Sequence, residues 1–372
     1  MDIVLLIGSL AVILVAAELF TNGIEWVGRK LNLGEGAVGS VLAAVATAMP
    51  ETLIPVIAIL GPIILGGEPN ETAQAVGVGA ILGAPFMLST LAMFVTGTAI
   101  VWYAWRGRRE TAMRVNPRIL GRDVGFFILG YGIAIGTAFL PPSLEWLKWV
   151  AAGILVALYA VYVWFHFRDE PESGGDEELG RLHLTRVPGL ERRGTLELDA
   201  FPGEHSIAGP EPRMGFVMAQ VALALALIVL GAQVFVGAVD HLSTVIGLDP
   251  TILALIIAPI ATELPEKFNS VLWVRNGKDT LAMGNITGAM VFQSAVPTVL
   301  GLLFTPWVFS EESLIHFASA GVAFASTIII FGGMLMRGRL SAWTLLIGGP
   351  FYLVYVYLAL FTPLGLAAPP AH

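Results

Sequence analysis

The stretch Pro259-Ile-Ala-Thr-Glu-Leu-Pro-Glu-Lys-Phe-Asn269 puts three charged side chains and two prolines in the middle of a long apolar run. A fainter copy, Val45-Ala-Thr-Ala-Met-Pro-Glu-Thr-Leu-Ile-Pro55, stands in the first half of the chain. A charge at the centre of a membrane helix costs roughly 2.5–3.5 kcal/mol on insertion scales, so it is retained only where something offsets it. Proline beside each glutamate removes a backbone donor and weakens the helix ladder. In lipid such a break survives only inside protein or along a cavity. An acid at a weakened helix, found twice, reads as a cation site.

The surroundings make the lipid argument necessary. Of 372 residues, 56% are hydrophobic and 13% charged, with a mean hydropathy of +0.79. The apolar residues fall into runs of roughly 20, the length that crosses a ~30 Å hydrocarbon core. This is the composition of an integral membrane protein, and the bilayer is its expected partner. With no cysteine, disulfides and thiolate metal sites are excluded. Met1-Asp2 lacks the basic start of a signal peptide, so the first run is expected to stay as a helix.

Ten membrane helices are expected, over 2–24, 36–61, 72–104, 120–140, 144–166, 214–240, 250–274, 279–306, 313–336 and 340–362. Lys and Arg report their orientation. Of the 20 basic residues, 18 follow odd-numbered helices. Examples are Arg29 and Lys30, the run from Arg106 to Arg122, and the pair Arg275 and Lys278. Odd connections are therefore expected in the cytoplasm and both termini outside, in a plasma (inner) membrane. Residues 167–213, with 11 acidic and six basic side chains, read as an acidic flexible linker. They divide the chain into five-helix halves, 1–166 and 214–372. His183 and His205 in the linker have no metal-ligand spacing.

The halves repeat. Residues 17–51 laid on 232–266 without a gap give eight identities. Four of them are Ala46/Ala261, Thr47/Thr262, Pro50/Pro265 and Glu51/Glu266. Further on, Gly79-Ala-Ile-Leu-Gly-Ala84 falls on Gly284-Asn-Ile-Thr-Gly-Ala289, and Ser89 on Ser294. An odd number of helices per half inserts the second half upside down. Inverted repeats of this kind belong to secondary transporters, whose sites lie at the midplane on interrupted helices. Helices 2 and 7 are expected to be the interrupted ones.

Thr47 and Glu51, like Thr262 and Glu266, are four apart and share a helix face. Two carboxylates, hydroxyls and freed carbonyls make a hard oxygen cage. That set suits Ca²⁺, which takes six to eight oxygens at about 2.3–2.6 Å, and Na⁺ uses the same donors. Left empty in low dielectric, the two acids cannot both stay ionised. The site must then be reloaded with Ca²⁺, Na⁺ or H⁺ before it crosses, which is the physical basis of exchange.

Glu263 and Lys267 replace Ala48 and Thr52 of the first half. They either pair with each other at i,i+4 or, through Glu263, add a third carboxylate. Gln293 offers an amide oxygen where its counterpart Leu88 offers none. Gly79, Gly83, Gly284 and Gly288 have the spacing of close helix packing. Glu18 and Gln233 read as polar packing, and Trp102, Trp105, Trp146, Trp149 and Trp307 as interfacial anchors. A membrane hydrolase would need a nucleophile or metal-bound water that the sequence does not offer. Broken inverted repeats also favour alternating access over a channel. No resident cofactor and no nucleic acid are expected.

These motifs resemble those of the Ca²⁺/cation antiporter superfamily, the sodium/calcium exchanger type. The resemblance covers both halves and is strongest at Ala46-Thr-Ala-Met-Pro-Glu51, Ala261-Thr-Glu-Leu-Pro-Glu266 and Gly284-Asn-Ile-Thr-Gly288. It implies that Glu51 and Glu266 bind the central Ca²⁺ with Thr47 and Thr262 beside them, in an N-out, ten-helix fold. The departures are Ala48 and Glu263 where the family signature has serine. Gly83-Ala-Pro85 and Gly288-Ala-Met290 stand in place of Gly-Ser-Asn, and Leu88 and Gln293 replace a coordinating Asn or Asp. Na⁺ ligands are thereby thinned. The expected activity is antiport of Ca²⁺, or a similar divalent cation, against Na⁺ or H⁺. The alternative is a sodium/proton exchanger on the same scaffold.

Overall fold

The computed structural model describes residues 2–30, 49–64, 71–168, 182, 212–275, 277–311 and 313–362. At residues 2, 21, 25, 28, 29, 49, 50, 166–168, 261, 264–269, 272, 281 and 337 it describes the backbone alone. The first half comprises α1 (Asp2–Lys30), α2 (Met49–Ile64) and α3 (Glu71–Met87), then α4 (Met93–Trp105), α5 (Pro117–Gly136) and α6 (Leu147–Arg168). A five-residue π-helical turn, Leu88–Ala92, joins α3 to α4 inside one span. The second half comprises α7 (Met214–Ile246), α8 (Pro250–Arg275), α9 (Asp279–Phe304) and α10 (Leu314–Arg337). It closes with the short α11 (Ala342–Leu345) and α12 (Gly348–Phe361). Among the described residues eight helical spans are long and apolar enough to cross a membrane. Two shorter apolar helices, Glu51–Ile64 and Pro250–Ile260, occupy the second and seventh places.

The boundaries follow local chemistry. Pro117 opens α5 where its missing N–H costs nothing, and Asn116 caps it by accepting from the Arg118 amide. Gly247 and Gly338, both at positive φ, end α7 and α10.

The long helices α1 and α7 run antiparallel. The Gln220 amide donates to the Leu19 carbonyl at 2.8 Å and to Asn22 Oδ1 at 3.0 Å. Toward the other end, Gly231 sits against Ser9 and Ile13. The matched pairs Ala17/Ala232 and Phe20/Phe235 are all buried. By contrast α3 and α8 run parallel, with Gly79 against Thr251 and Gly83 against Leu255. Antiparallel first helices and parallel third and second-half second helices are what an inverted second half requires.

The connections sort onto two ends. At one end Arg109 forms a two-pronged ion pair with Asp279, at 2.7 and 2.8 Å, and the Arg114 amide donates to the same carboxylate. There β1 (Ala112–Met113) pairs antiparallel with β2 (Leu340–Ser341), Ala112 facing Ser341. The third, seventh and ninth connections therefore meet. At the opposite end Phe309 N–H donates to the Ala138 carbonyl, Trp307 Nε1 to Ala134, and His316 contacts Asp249 at 3.2 Å. Basic residues crowd the first end, in keeping with the alternation read from the sequence.

Three expectations are corrected. Helix 7 is not interrupted: α8 is helical from Pro250 to Arg275 through Pro259 and Pro265. A proline removes only its own donor, and packed neighbours hold the remaining ladder together. Trp307 is not an interfacial anchor but is buried, its ring edge-on to Phe317. Glu18, expected in helix packing, is exposed. Trp102, Trp105, Trp146 and Trp149 are exposed as anchors should be. The expected break in helix 2 falls next to 31–48, outside the described residues. So does most of the linker; its Leu182 is buried against Trp26 and Val217.

Candidate functional site

Among the described residues, ladder defects occur in the third and eighth spans, at matched positions, while helix 7 runs unbroken. In the first half the π turn begins at Leu88. A π turn shifts carbonyls out of register with their donors and is often found at functional sites. Here the Ser89 carbonyl accepts from the Ser326 hydroxyl at 2.6 Å, and the Thr90 hydroxyl returns to the Phe86 carbonyl. In the second half Pro297 lies inside α9. Proline has no N–H, so the Gln293 carbonyl four residues back loses its helical donor. The Thr298 hydroxyl takes that place at 3.1 Å. Ser89 and Ser294, paired by the repeat, each donate to the carbonyl three residues back, at 3.1 and 3.0 Å.

Four of the polar side chains singled out by the sequence are buried on neighbouring helices. Glu51 lies in the first turn of α2 and is 5% exposed. On α8, Thr262 is 1% exposed and Glu263 2% exposed. The Thr262 hydroxyl donates to the Ala258 carbonyl at 2.9 Å, leaving its lone pairs for other partners. Gln293 on α9 is 2% exposed. The helices bearing them pack on one another: α8 lies against α3 and α9, and α9 against α2. Two carboxyl groups, a hydroxyl and an amide are thus buried on membrane helices drawn from both halves. Thr47 lies outside the described residues, as do the side chains of Glu266 and Lys267. The Glu263–Lys267 pairing is therefore outside the described residues as well. Among the described residues no three of His, Asp and Glu converge as a metal-holding group.

Gly79 and Gly83 act as expected. A Cβ on either would overlap a carbonyl oxygen of α8, Thr251 or Leu255. Their counterparts differ: Gly288 faces the Tyr162 hydroxyl, and Gly284 has nothing near it among the described residues.

The sequence assigns no role to two buried acids, Asp279 of the ion pair above and Asp123. Asp123 on α5 is 1% exposed and accepts from the Thr287 hydroxyl at 2.6 Å and the Tyr162 hydroxyl at 3.2 Å. The signal was present, because a lone Asp in an apolar span is unusual. Asp123 falls inside the expected span 120–140, one residue from Arg122, and the sequence assigns it no role. In the structure α5 begins at Pro117, three residues earlier, which sets Asp123 deeper in the span.

A bundle of inverted halves with buried acids on facing helices defines a membrane protein built like a secondary transporter. The family follows from direct comparison: the chain belongs to the sodium/calcium exchanger protein family, whose model matches residues 1–168 and 216–361. The putative antiporter CaxA of Alkalimonas amylolytica is 30% identical over 124 residues, 32% of this chain and 37% of that protein. The sodium/calcium exchanger MaX1 of Methanosarcina acetivorans is 29% identical over 113 residues, 30% of this chain and 32% of that protein. The matched region thus spans about a third of the length of these curated relatives. In fold the chain is similar to an H⁺/Ca²⁺ exchanger, CAX, with a TM-score of 0.62 at 16% identity, covering 97% of this chain and 82% of that one. It is also similar to the sodium-calcium exchanger NCX_Mj, with a TM-score of 0.54 at 14% identity, covering 95% and 97%.

Proposed function

We propose that this chain is a secondary-active antiporter that exchanges Ca²⁺, or a similar divalent cation, for Na⁺ or H⁺ by alternating access. It is a transporter rather than an enzyme, of ten membrane helices in two inverted sets of five, with both termini outside. The observation that carries this reading is the burial of Glu51 and Glu263 on membrane helices from opposite halves of a family bundle. Carboxylates buried on membrane helices are costly and mark ion pathways, which a transported cation on these acids explains. Glu51 and Glu266 are the principal ligands, with Thr47, Thr262, Glu263 and Gln293 adding oxygens. Hard oxygen donors of this kind suit Ca²⁺. When the cation leaves, neighbouring carboxylates repel and take up Na⁺ or a proton. That obligation couples outward movement of one ion to inward movement of another.

The test is ⁴⁵Ca²⁺ uptake into proteoliposomes, driven separately by a Na⁺ gradient and a pH gradient. Uptake under one gradient supports the reading and names the driving ion. Sodium flux driven by pH, with no Ca²⁺ movement, would instead identify a sodium/proton exchanger.

A further inference from the structure

Asp123 stands six residues beyond Pro117, about 9 Å into α5 at about 1.5 Å per residue. It enters from the end where Arg109, Asp279 and the β1–β2 ribbon meet. Its element carries none of the candidate cation ligands. Around its carboxylate the contacts come from three helices. Thr287 of α9 and Tyr162 of α6 donate to its two oxygens, and Arg122 on its own helix adds a nearby positive charge. Tyr159 stacks beside Tyr162, with ring centroids 6.1 Å apart. The helix α10 brings Phe324 against Phe127 and Tyr131, and among the described residues presents no titratable group to Asp123.

The position of Thr287 is the informative feature. Its hydroxyl oxygen lies 2.6 Å from Asp123 Oδ2 and also 3.0 Å from the Met283 carbonyl. A hydroxyl has one proton to donate and lone pairs to accept with. Beside the anion, Thr287 donates to Asp123. Beside the neutral acid, the new carboxyl O–H donates to Thr287, and Thr287 turns its own proton to Met283. Both protonation states are therefore fully hydrogen-bonded with no movement of heavy atoms. A purely structural buried carboxylate needs only the first arrangement.

We propose that Asp123 is a proton-binding site separate from the central acids, with Thr287 as the hydroxyl that reorients when the proton arrives. One proton from the Arg109–Asp279 end adds to the carboxylate, no other bond is made or broken, and a buried charge disappears. That this proton enters into exchange rests on the antiport reading above; its binding does not.

Two measurements on the full chain separate these statements. Infrared difference spectra on acidifying the purified protein should show a buried carboxyl signal. Asp123→Asn should remove one component of it, and Thr287→Val should displace that component's frequency and midpoint. In proteoliposomes, Asp123→Asn should lose part of the pH dependence of uptake while keeping cation selectivity. If Asp123→Asn does not fold, Thr287→Val and Tyr162→Phe, each removing one hydrogen bond, carry the infrared test. Spectra and pH profiles superimposable on the unmodified chain would overturn the proposal. A chain that exchanges nothing under either gradient would defeat the antiport reading, while the infrared titration would still decide the fate of Asp123.

Discussion

Gly83 on α3 lies so close to the Leu255 carbonyl of α8 that an added Cβ would overlap that oxygen, and it would stand 2.8 Å from Pro259 Cγ. The helix that bears Thr262 and Glu263 is therefore seated on bare backbone. Gly83→Val should force the two helices apart, at an overpacking cost of about 1–3 kcal/mol. A lower thermal midpoint in detergent should report it. Gly125→Ala, where nothing lies within 4 Å, should leave the midpoint unchanged or raise it. Equal loss in both variants would refute close packing as the reason for Gly83.

Arg109 and Asp279 are both largely buried and bonded through two parallel contacts. Removing one partner of such a pair strands the other charge and costs about 3–5 kcal/mol. Arg109→Ala and Asp279→Ala should each lower stability strongly. The double variant should lose much less than their sum, because the stranded charge is gone. Additive losses would show that the pair does not couple the third and seventh connections.

Glu51→Gln, Glu263→Gln and Glu266→Gln keep side-chain volume and remove the charge. Each should fold with an unchanged chromatographic profile. Glu51→Gln and Glu266→Gln should abolish Ca²⁺ uptake, and Glu263→Gln should reduce it. Full transport in the first two would remove those residues from the site.

Leu88 opens the π turn and Gln293 stands at the matched defect in α9. Placing Leu88→Asn and Gln293→Asp together restores oxygen donors beside carbonyls that the helix does not fully use. Uptake should become more dependent on Na⁺. An unaltered Na⁺ response would mean that these positions do not line the ion path.

His316 and Asp249 tie the start of α10 to the start of α8 at 3.2 Å. Burial pushes the Asp249 carboxyl up, but the His316 ring and the Thr251 amide outweigh it and hold the carboxyl below its usual range. A lowered folded-state value stabilises the protein above the ordinary carboxylate value of about 4, and the gain disappears as pH falls through the folded value. The difference in thermal midpoint between the unmodified chain and Asp249→Asn should be largest near neutrality and shrink in acid. A difference that grows on acidification would contradict the pairing.

Much of the bundle was legible before any coordinates. The expected spans 214–240, 250–274, 279–306 and 313–336 begin within one residue of α7, α8, α9 and α10. Hydrophobic length and the placement of Lys and Arg are properties of the chain itself, enforced by the bilayer residue by residue. The repeat was equally visible, because Pro265 and Glu266 are improbable inside apolar helices without a shared purpose. Glu51, Thr262, Glu263 and Gln293 announced themselves in the same way, and all four are buried.

Where the ladder yields, however, was decided by packing. Proline marks a missing donor, but only the neighbours determine whether the helix parts, and α8 stays whole through Pro265. No sequence rule marks Leu88–Ala92 as a π turn; the Ser326 hydroxyl on the Ser89 carbonyl helps hold it, across more than two hundred residues. The depth of Asp123, and the pairing of Arg109 with Asp279, likewise come from elements remote in the chain. Apolar span, charge side and repeat follow from the bilayer acting on each segment alone. Burial partners exist only once the segments touch.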